Sequence, residues 1–576
     1  MQEKHRILKC DVLVIGSGGA GSFAAIAADD QGADVLIVDR GVLGKSGATV
    51  TAGHTCCSAQ GPDDSPDLHF FDTVQGGYFV NNQKLVEVYT SEAPERIREL
   101  DAFGANFFRK EDGEFWLISP PGGHSRKRSV FYGYQTGPAF MRGFMAEIKR
   151  RDIRWQDNTI VTSLLTDGSR AIGATALDVQ SGEFLVLEAK AVVLATGGYG
   201  QLWAPKTTTP VEAAGDVLAM AFDAGAELVD MEFVQFLPMQ IGPKVKHLNP
   251  TIANFPGWRE EIRKAARMVN SEGQEILYQY DRRGLYTTRD VRAMAIYNEV
   301  RHGKRVYLDL TQVPMEIIEE EFEESWPGSY LPLLRKENYS LTETPMEISV
   351  GAHYCMGGIR IDEHCRTSVP GLFAAGEVTG GVDGANRLGG NAITEIIVFG
   401  KRAGDSAAQY ADTAAEARAD AQAVGSEKAT VLGLLEKSGD VSPISAKSKL
   451  QQIVWDDVCV LRTEQGLKRA LVAIEELRGK TLAHLGLTSQ TKAYNLEWIQ
   501  AILLPRQLDV AEAVARAALA RTESRGSQRR ADYPEQDNEN WVKNIILRKE
   551  NGGMMLETHP AVITKLDPSE AISWKP

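Results

Sequence analysis

Residues Asp11–Gly21, DVLVIGSGGAG, constrain this chain more than any other stretch. Val12–Ile15 are continuously apolar, and the glycines that follow favour a short buried strand over a helix. Gly16, Gly18 and Gly21 stand at G-x-G-x-x-G spacing. The first permits a tight turn, the second lets backbone approach a pyrophosphate, and the third lets a helix pack on the strand. A helix starting there offers free N–H groups and a positive dipole end to phosphates. The next apolar run, ADVLIVD, ends in Asp39, where a carboxylate can hold a ribose hydroxyl. Two strands, a small-residue helix and a terminal Asp make a dinucleotide site a better reading than a structural glycine turn.

A chain of 576 residues exceeds one ordinary core and suggests two to four domains. Its net charge of −14 argues against nucleic acid or an anionic membrane surface as the main partner. The basic run Arg126-Lys127-Arg128 reads as a solvated loop. No apolar run is long enough to span a bilayer, and the first strand begins without a signal-peptide stretch. The expectation is a cytoplasmic protein, peripheral at the inner face of a membrane at most, with membrane contact only through partner subunits. The six cysteines include no C-x-x-C, so neither an iron–sulfur cluster nor a zinc site is indicated. Adjacent Cys56 and Cys57 read as small residues packed near a cofactor rather than as a redox pair.

Along the chain, a small glycine-rich segment after Asp39 suits close backbone approach to a ligand. Helical spacing recurs over residues 85–103 and 139–150. From Thr159 to Leu194, short strands broken by Asp167-Gly168 and Ser181-Gly182 predict a meander of hairpins. AVVLATGG then returns the chain to the first sheet, which resumes at GLFAAG (371–376). Residues 237–344 read as an insertion, 447–521 as amphipathic helices, and the tail from Gln528 as polar and weakly patterned. The expected architecture is α/β. A Rossmann-like domain (1–240 and 345–410) carries an inserted α+β capping domain (241–344). A linker (411–440), a C-terminal helical domain (441–540) and a tail (541–576) follow.

The motifs DVLVIGSGGAG, LATGG, DMEFVQF, TTRDV, VYLDL, GAHYCMGGI, GLFAAGE, GANRLGGNA and TESRG followed by DYP span nearly the whole chain. Together they resemble the flavoprotein subunit of succinate dehydrogenases and fumarate reductases, a family that includes L-aspartate oxidase and thiol-dependent fumarate reductases. The resemblance implies FAD. Gly16, Gly18 and Gly21 would take the pyrophosphate and Asp39 the adenosine ribose, with Gly19, Ala20 and Arg40 as further cofactor-binding positions. Ser46, Gly47, Gly197, Asp216, Glu377, Asn391 and Ala392 fall on further FAD positions. Many family members carry a histidine after the equivalent of Ser46 and bind FAD covalently through it. Gly47 stands there, so the expectation is non-covalent FAD, with His54 a poorer attachment point. No metal ligand set is implied.

By the same resemblance, Arg289 in TTRDV matches a proton donor, and His353 and Arg387 match a pair gripping one substrate carboxylate. A bidentate Arg suits that grip, whereas a donor guanidinium requires a tight, desolvated site. The bland alternatives are an Arg289–Asp290 ion pair and a core histidine. The chain also departs from the family. Phe236-Leu237-Pro238-Met239 replaces F-H-P-T. Pro256-Gly257-Trp258-Arg259-Glu260-Glu261-Ile262-Arg263 stands where T-E-G-C-R-G-E-G-G holds the second carboxylate and a Glu–Arg relay. A site stripped of polar donors discriminates strongly against the ligand they served. Arg259, Glu260 or Arg263 could rebuild a relay, or form a solvated helix face. The reading is the FAD-bearing subunit of an oxidoreductase that works on a C=C bond beside a carboxylate or acyl group, with an organic acid or acyl substrate. Its electrons would be exchanged with an iron–sulfur protein subunit. The alternative is an adenylylsulfate-reductase-like flavoprotein, or an electron-transfer subunit without its own substrate.

Overall fold

The computed structural model describes residues 5–53, 55–118, 123–133, 135–240, 259–287, 289–325, 331–336 and 340–569. His54, Pro256, Gly257 and Trp258 lie outside them. The central sheet has seven strands. Arg154–Gln156, Val35–Val38, Arg6–Ile15 and Phe184–Leu194 run parallel in that order, and the antiparallel Ala171–Asp178 and Thr159–Thr166 continue it. Ile15 pairs with both Val38 and Leu194, so three strand ends reach the same level. The first half of Phe184–Leu194 is taken by the meander and its last residues by Leu372–Ala374, which extends the parallel part. Val12–Ile15 and Val35–Val38 are buried throughout, as strands of a parallel sheet covered on both faces must be.

The helix Gly19–Asp30 follows the glycine turn and is buried from Gly19 through Ala28. It packs against the long helix Asn391–Thr413 at backbone contact. A Cβ on Gly400 would stand 2.6 Å from the Ala20 carbonyl, and one on Gly404 2.1 Å from that of Ala24. The two glycines therefore let two helix N-termini approach the same ends of the strands.

A second, four-stranded antiparallel sheet is ordered Val234–Gln240, Met346–Cys355, Val306–Asp309, Arg267–Asn270. Val234–Gln240 and Met346–Cys355 pair antiparallel within it, and the helix Arg289–Arg301 packs on the sheet. The helices Pro443–Asp457, Glu464–Glu476 and Leu496–Ala520 form the helical region. Part of the segment read as a linker is the helix Ala421–Gly433, whose Val424 and Val431 pack with Leu165, Ile172 and Leu177 of the meander.

The C-terminal segment differs from its sequence reading. Where a weakly patterned tail is expected, Lys543–Glu550 and Gly553–Pro560 form a hairpin. Its first strand buries Ile545, Ile546 and Leu547 and pairs with Leu228–Val229 of the nucleotide domain. Among the described residues no helix is long and apolar enough to cross a membrane.

Candidate active site

A cleft of about 450 Å³ is lined by the glycine turn and by residues of the strands Val234–Gln240 and Met346–Cys355. Gly16, Ser17, Gly18, Gly19 and Ala20 present the start of the helix Gly19–Asp30 to it. Gly16 has φ +101°, and a Cβ there would stand 2.3 Å from the Ala195 carbonyl oxygen. Only glycine fits. The Gly19 N–H donates to Thr49 Oγ1 at 3.0 Å. Gly21 does not line the cleft; a Cβ on it would meet Gly16 O at 1.8 Å, so it sets the strand–helix contact.

Asp39 lines the cleft and accepts four hydrogen bonds of 2.7 Å. Ser17 gives two, from N–H and hydroxyl, and the Gly41 N–H and Ser46 hydroxyl give the others. Ser46 is therefore a support for Asp39 and does not itself line the cleft. Arg40 donates to Asp216 Oδ2 at 2.5 Å, and both line the wall. Gly47 and Gly197 line it too, each at positive φ with open space where a Cβ would stand. Asn391 turns away: its amide donates to Thr73 Oγ1 at 3.1 Å, and its carbonyl meets His69 Nε2 at 3.0 Å. Its neighbour Ala392 faces in with Gly389 and Gly390, at the start of the helix Asn391–Thr413. A long cleft with helix N-termini at its walls and no room for a side chain at Gly16 fits a dinucleotide with a charged pyrophosphate.

Leu237, Arg289, His353, Tyr354, Glu377 and Arg387 line the same cleft, with Arg387 against Tyr354 and close enough to Arg289 for their charges to interact. The three sequence candidates Arg289, His353 and Arg387, far apart in the chain, thus share one wall region. The Thr208 hydroxyl hydrogen-bonds His353 Nδ1 at 2.7 Å and fixes the ring. Arg387 donates from Nε and an Nη to Gln235 Oε1 at 3.3 and 3.1 Å, and its guanidinium carbon sits 4.3 Å from the Tyr354 ring centre. Both partners are neutral, so they orient Arg387 without forming an ion pair. Thr208, Gln235 and Tyr354 escape sequence reasoning. Only the last two lie within recognisable motifs, and nothing local marks their partners.

Of the nearby carboxyl groups, Glu377 is in this wall and Asp383 and Glu395 lie behind it. Glu377 Oε1 accepts from the Cys355 N–H at 3.1 Å, and burial pushes Glu377 up to about 7. Burial likewise raises Asp383 to about 7, and burial with the nearby Asp383 charge raises Glu395, which accepts from Tyr354 Oη–H at 3.0 Å. Burial, then the charges of Arg387 and Arg292, push Arg289 down to about 9. The Arg289–Asp290 ion pair considered from sequence does not form: Asp290 pairs with Arg529 and accepts from Tyr78 Oη–H at 3.4 Å.

Of the relay candidates, Arg259 pairs with Glu320 at 2.6 Å and Glu260 with Lys264 at 2.7 Å. Neither these two nor Arg263 line the cleft. Cys56 and Cys57 are buried behind the glycine loop, Cys57 donating to Gly389 O at 3.3 Å, and burial pushes both thiols up. His124 also holds Gly389 O, at 3.0 Å, and stays outside the cleft. Among the described residues no cluster of metal-ligating side chains occurs.

Comparison with known proteins gives two family matches: an FAD binding domain over residues 11–393, and a fumarate reductase flavoprotein C-terminal domain over residues 447–573. The chain is 38% identical over 563 residues to one subunit of the fumarate reductase (CoM/CoB) of Methanothermobacter marburgensis, covering 95% of this chain and 98% of that one. Its fold matches a solved quinol fumarate reductase chain of Escherichia coli with TM-score 0.87 at 27% identity, over 98% of both chains. Adenylylsulfate reductase of Archaeoglobus fulgidus matches with TM-score 0.76 at 19% identity, over 98% of this chain and 100% of that one, which is a likeness of fold alone.

Proposed function

The chain belongs to the fumarate reductase and succinate dehydrogenase flavoprotein family, as an FAD-dependent oxidoreductase acting on CH–CH groups, and on that premise we propose that its cleft reduces the C=C bond of fumarate or a closely related enoate. The observation that carries this reading is that Arg289, Arg387 and His353, far apart in the chain, line the cleft that the glycine turn also lines.

When bound along the cleft, FAD would supply the electron pair in the form of hydride. This chain's residues do the rest. Arg387, pre-oriented by Gln235 and Tyr354, grips a substrate carboxylate together with His353, which Thr208 holds in one orientation. That grip draws charge off the double bond. Arg289 delivers the proton to the second alkene carbon; its desolvation among like charges is what makes a guanidinium able to release one. Leu237, buried in the wall, excludes water where the family carries a histidine.

The cofactor is held without a covalent bond, since Gly47 offers no side chain. Electrons are exchanged with an iron–sulfur protein subunit, through which any membrane contact is made, and the protein works in the cytoplasm. The M. marburgensis relative, named for fumarate reduction with CoM and CoB, supports fumarate as the first substrate to try. The test is anaerobic stopped-flow on photoreduced protein. Rapid flavin reoxidation by fumarate, abolished by Arg289→Ala, is the expected result. A flavin that fumarate leaves reduced, but that a monocarboxylic enoate, an acyl thioester or adenylylsulfate reoxidises, would move the assignment to that compound.

A further inference from the structure

Arg292 stands one helical turn beyond Arg289 on the helix Arg289–Arg301, so the two side chains leave the same side of it. Arg292 is 7% exposed, and among the described residues its Nε and Nη1 have no hydrogen-bond partner. A buried guanidinium left in that condition is costly, and a Met or Leu of similar length would fill the space without the cost.

The neighbouring carboxylates are committed elsewhere. Asp290 hydrogen-bonds to Arg529 and Tyr78, Glu299 to Asn270 and Lys304, and Asp309 to Arg267 and Thr311; burial pushes Arg292 down to about 10, the Asp290 charge opposing it without a hydrogen bond, so Arg292 stays charged at pH 8. Four elements pack near the helix. The strand Val234–Gln240 brings no titratable side chain, Leu461–Arg462 brings Arg462 bound to Glu232 O and Gln528, Met346–Cys355 brings Glu347 (paired with Arg305), His353, Tyr354 and the Cys355 thiol raised by burial, and Val306–Asp309 brings Tyr307 and Asp309. Arg387 faces from the opposite loop, and His124 lies behind, held neutral by burial. The charges acting on Arg289 are thus Arg387 and Arg292, both positive. Arg387 has a substrate to hold. Arg292, outside the cleft lining, has none.

We infer that Arg292 is a positioning residue for the reaction: an unpaired charge, set one helical turn from Arg289, that drives a proton off that guanidinium towards the substrate carbon. It acts as a neighbouring ammonium acts on a catalytic lysine, through repulsion rather than contact with substrate. It takes the part of the missing Glu–Arg relay by making the donor more acidic instead of re-supplying it through a chain of carboxylates. The step balances: the proton leaves Arg289 for the carbon adjacent to the one that takes the hydride, and solvent re-protonates the neutral guanidine.

This rests on Arg289 being the donor, so the deciding measurement reads Arg289 itself. Arginine-selective dicarbonyls attack the neutral guanidine, so their rate at Arg289, followed by peptide mass spectrometry on the full-length FAD-loaded protein, reports its acidity without turnover. Arg292→Met and Arg292→Gln are expected to slow Arg289 labelling at pH 8 at least tenfold, the shift of one pH unit or more that losing a near charge implies. Arg292→Lys, which keeps the charge, stays within twofold of wild type. In parallel, the alkaline limb of the fumarate pH–rate profile moves up by the same interval in the Met and Gln variants. Equal labelling in all four proteins, or a Lys variant as slow as the Met one, overturns the proposal. Fast, Arg292-dependent labelling with no fumarate turnover upholds the coupling and sinks the fumarate reading alone.

Discussion

Arg529→Met is the most informative single perturbation outside the cleft. Arg529 comes from the segment after the long C-terminal helix and pairs with Asp290, next in sequence to Arg289. The Asp290 side chain is 3% exposed and that of Arg529 20%. Removing one partner of a fully buried pair costs about 3–5 kcal/mol; the partial exposure of Arg529 brings this to about 2–3 kcal/mol. Spread over a 576-residue chain unfolding as one unit, with about 2.1 cal/mol/K per residue, that is a fall in Tm of only about 2–3 °C. The larger effect is on chemistry. At a charge separation on the order of 6 Å and an effective dielectric of 20, a freed carboxylate attracts a guanidinium by about 3 kcal/mol, enough to raise its pKa by about two units. Proton delivery at neutral pH then slows on the order of 10–100-fold. Stopped-flow reoxidation by fumarate measures the rate and scanning fluorimetry the stability. Asp290→Asn in the Arg529→Met background leaves no unpaired carboxylate, so the double variant recovers most of the lost rate. Losses that simply add, with a coupling below about 0.5 kcal/mol, would refute the argument.

Gly16→Ala places a Cβ 2.3 Å from a backbone oxygen at positive φ; FAD affinity, read by flavin fluorescence, drops at least about 100-fold, the equivalent of ~2.7 kcal/mol or more. Gln235→Leu removes both side-chain hydrogen bonds that orient Arg387; KM for the carboxylate substrate rises about tenfold, about 1.4 kcal/mol, with FAD content unchanged. In FAD-free protein, Glu377 carries a folded pKa of about 7 against an ordinary 4.5. Its protonated form is favoured in the fold, so its contribution is fully present below pH 4.5 and is lost as pH rises through 7. Tm therefore falls between about pH 5 and 8, and Glu377→Gln flattens that slope; an unchanged slope in the variant would count against the assignment.

Much of the site is legible in the sequence because its backbone demands are local. The Gly16 turn, the strand ending at Asp39 and the glycine loop before Asn391 each need particular residues at fixed offsets. Motif resemblance then carries Arg289, His353 and Arg387 into one cleft. Other features depend on partners distant in the chain. Ser46 and Asn391 occupy cofactor-like positions in the sequence, yet they spend their polar atoms on Asp39, Thr73 and His69. Arg292 reads as one more charge on a polar helix until its burial and lack of a partner are seen. The hairpin 543–560 is hidden for a different reason. Its first strand carries only a short apolar run, Ile545–Leu547, while its second, an exposed edge, alternates too weakly to be read as a strand.

That hairpin also governs how the protein is made. Until Lys543–Glu550 leaves the ribosome, Leu228–Val229 lacks one of its two neighbours, and its backbone groups stay open to any passing strand. The same late segment supplies Arg525, which donates to the Tyr78 carbonyl at 2.8 Å, and Thr564, Lys565 and Leu566, whose N–H groups converge on Gln83 Oε1 at 2.9–3.0 Å. A later segment of the chain is thus stitched to one far earlier in it. Nascent chains stalled after the glycine turns but before the hairpin hold a nearly complete nucleotide fold with an adhesive edge, the species a chaperone must shield.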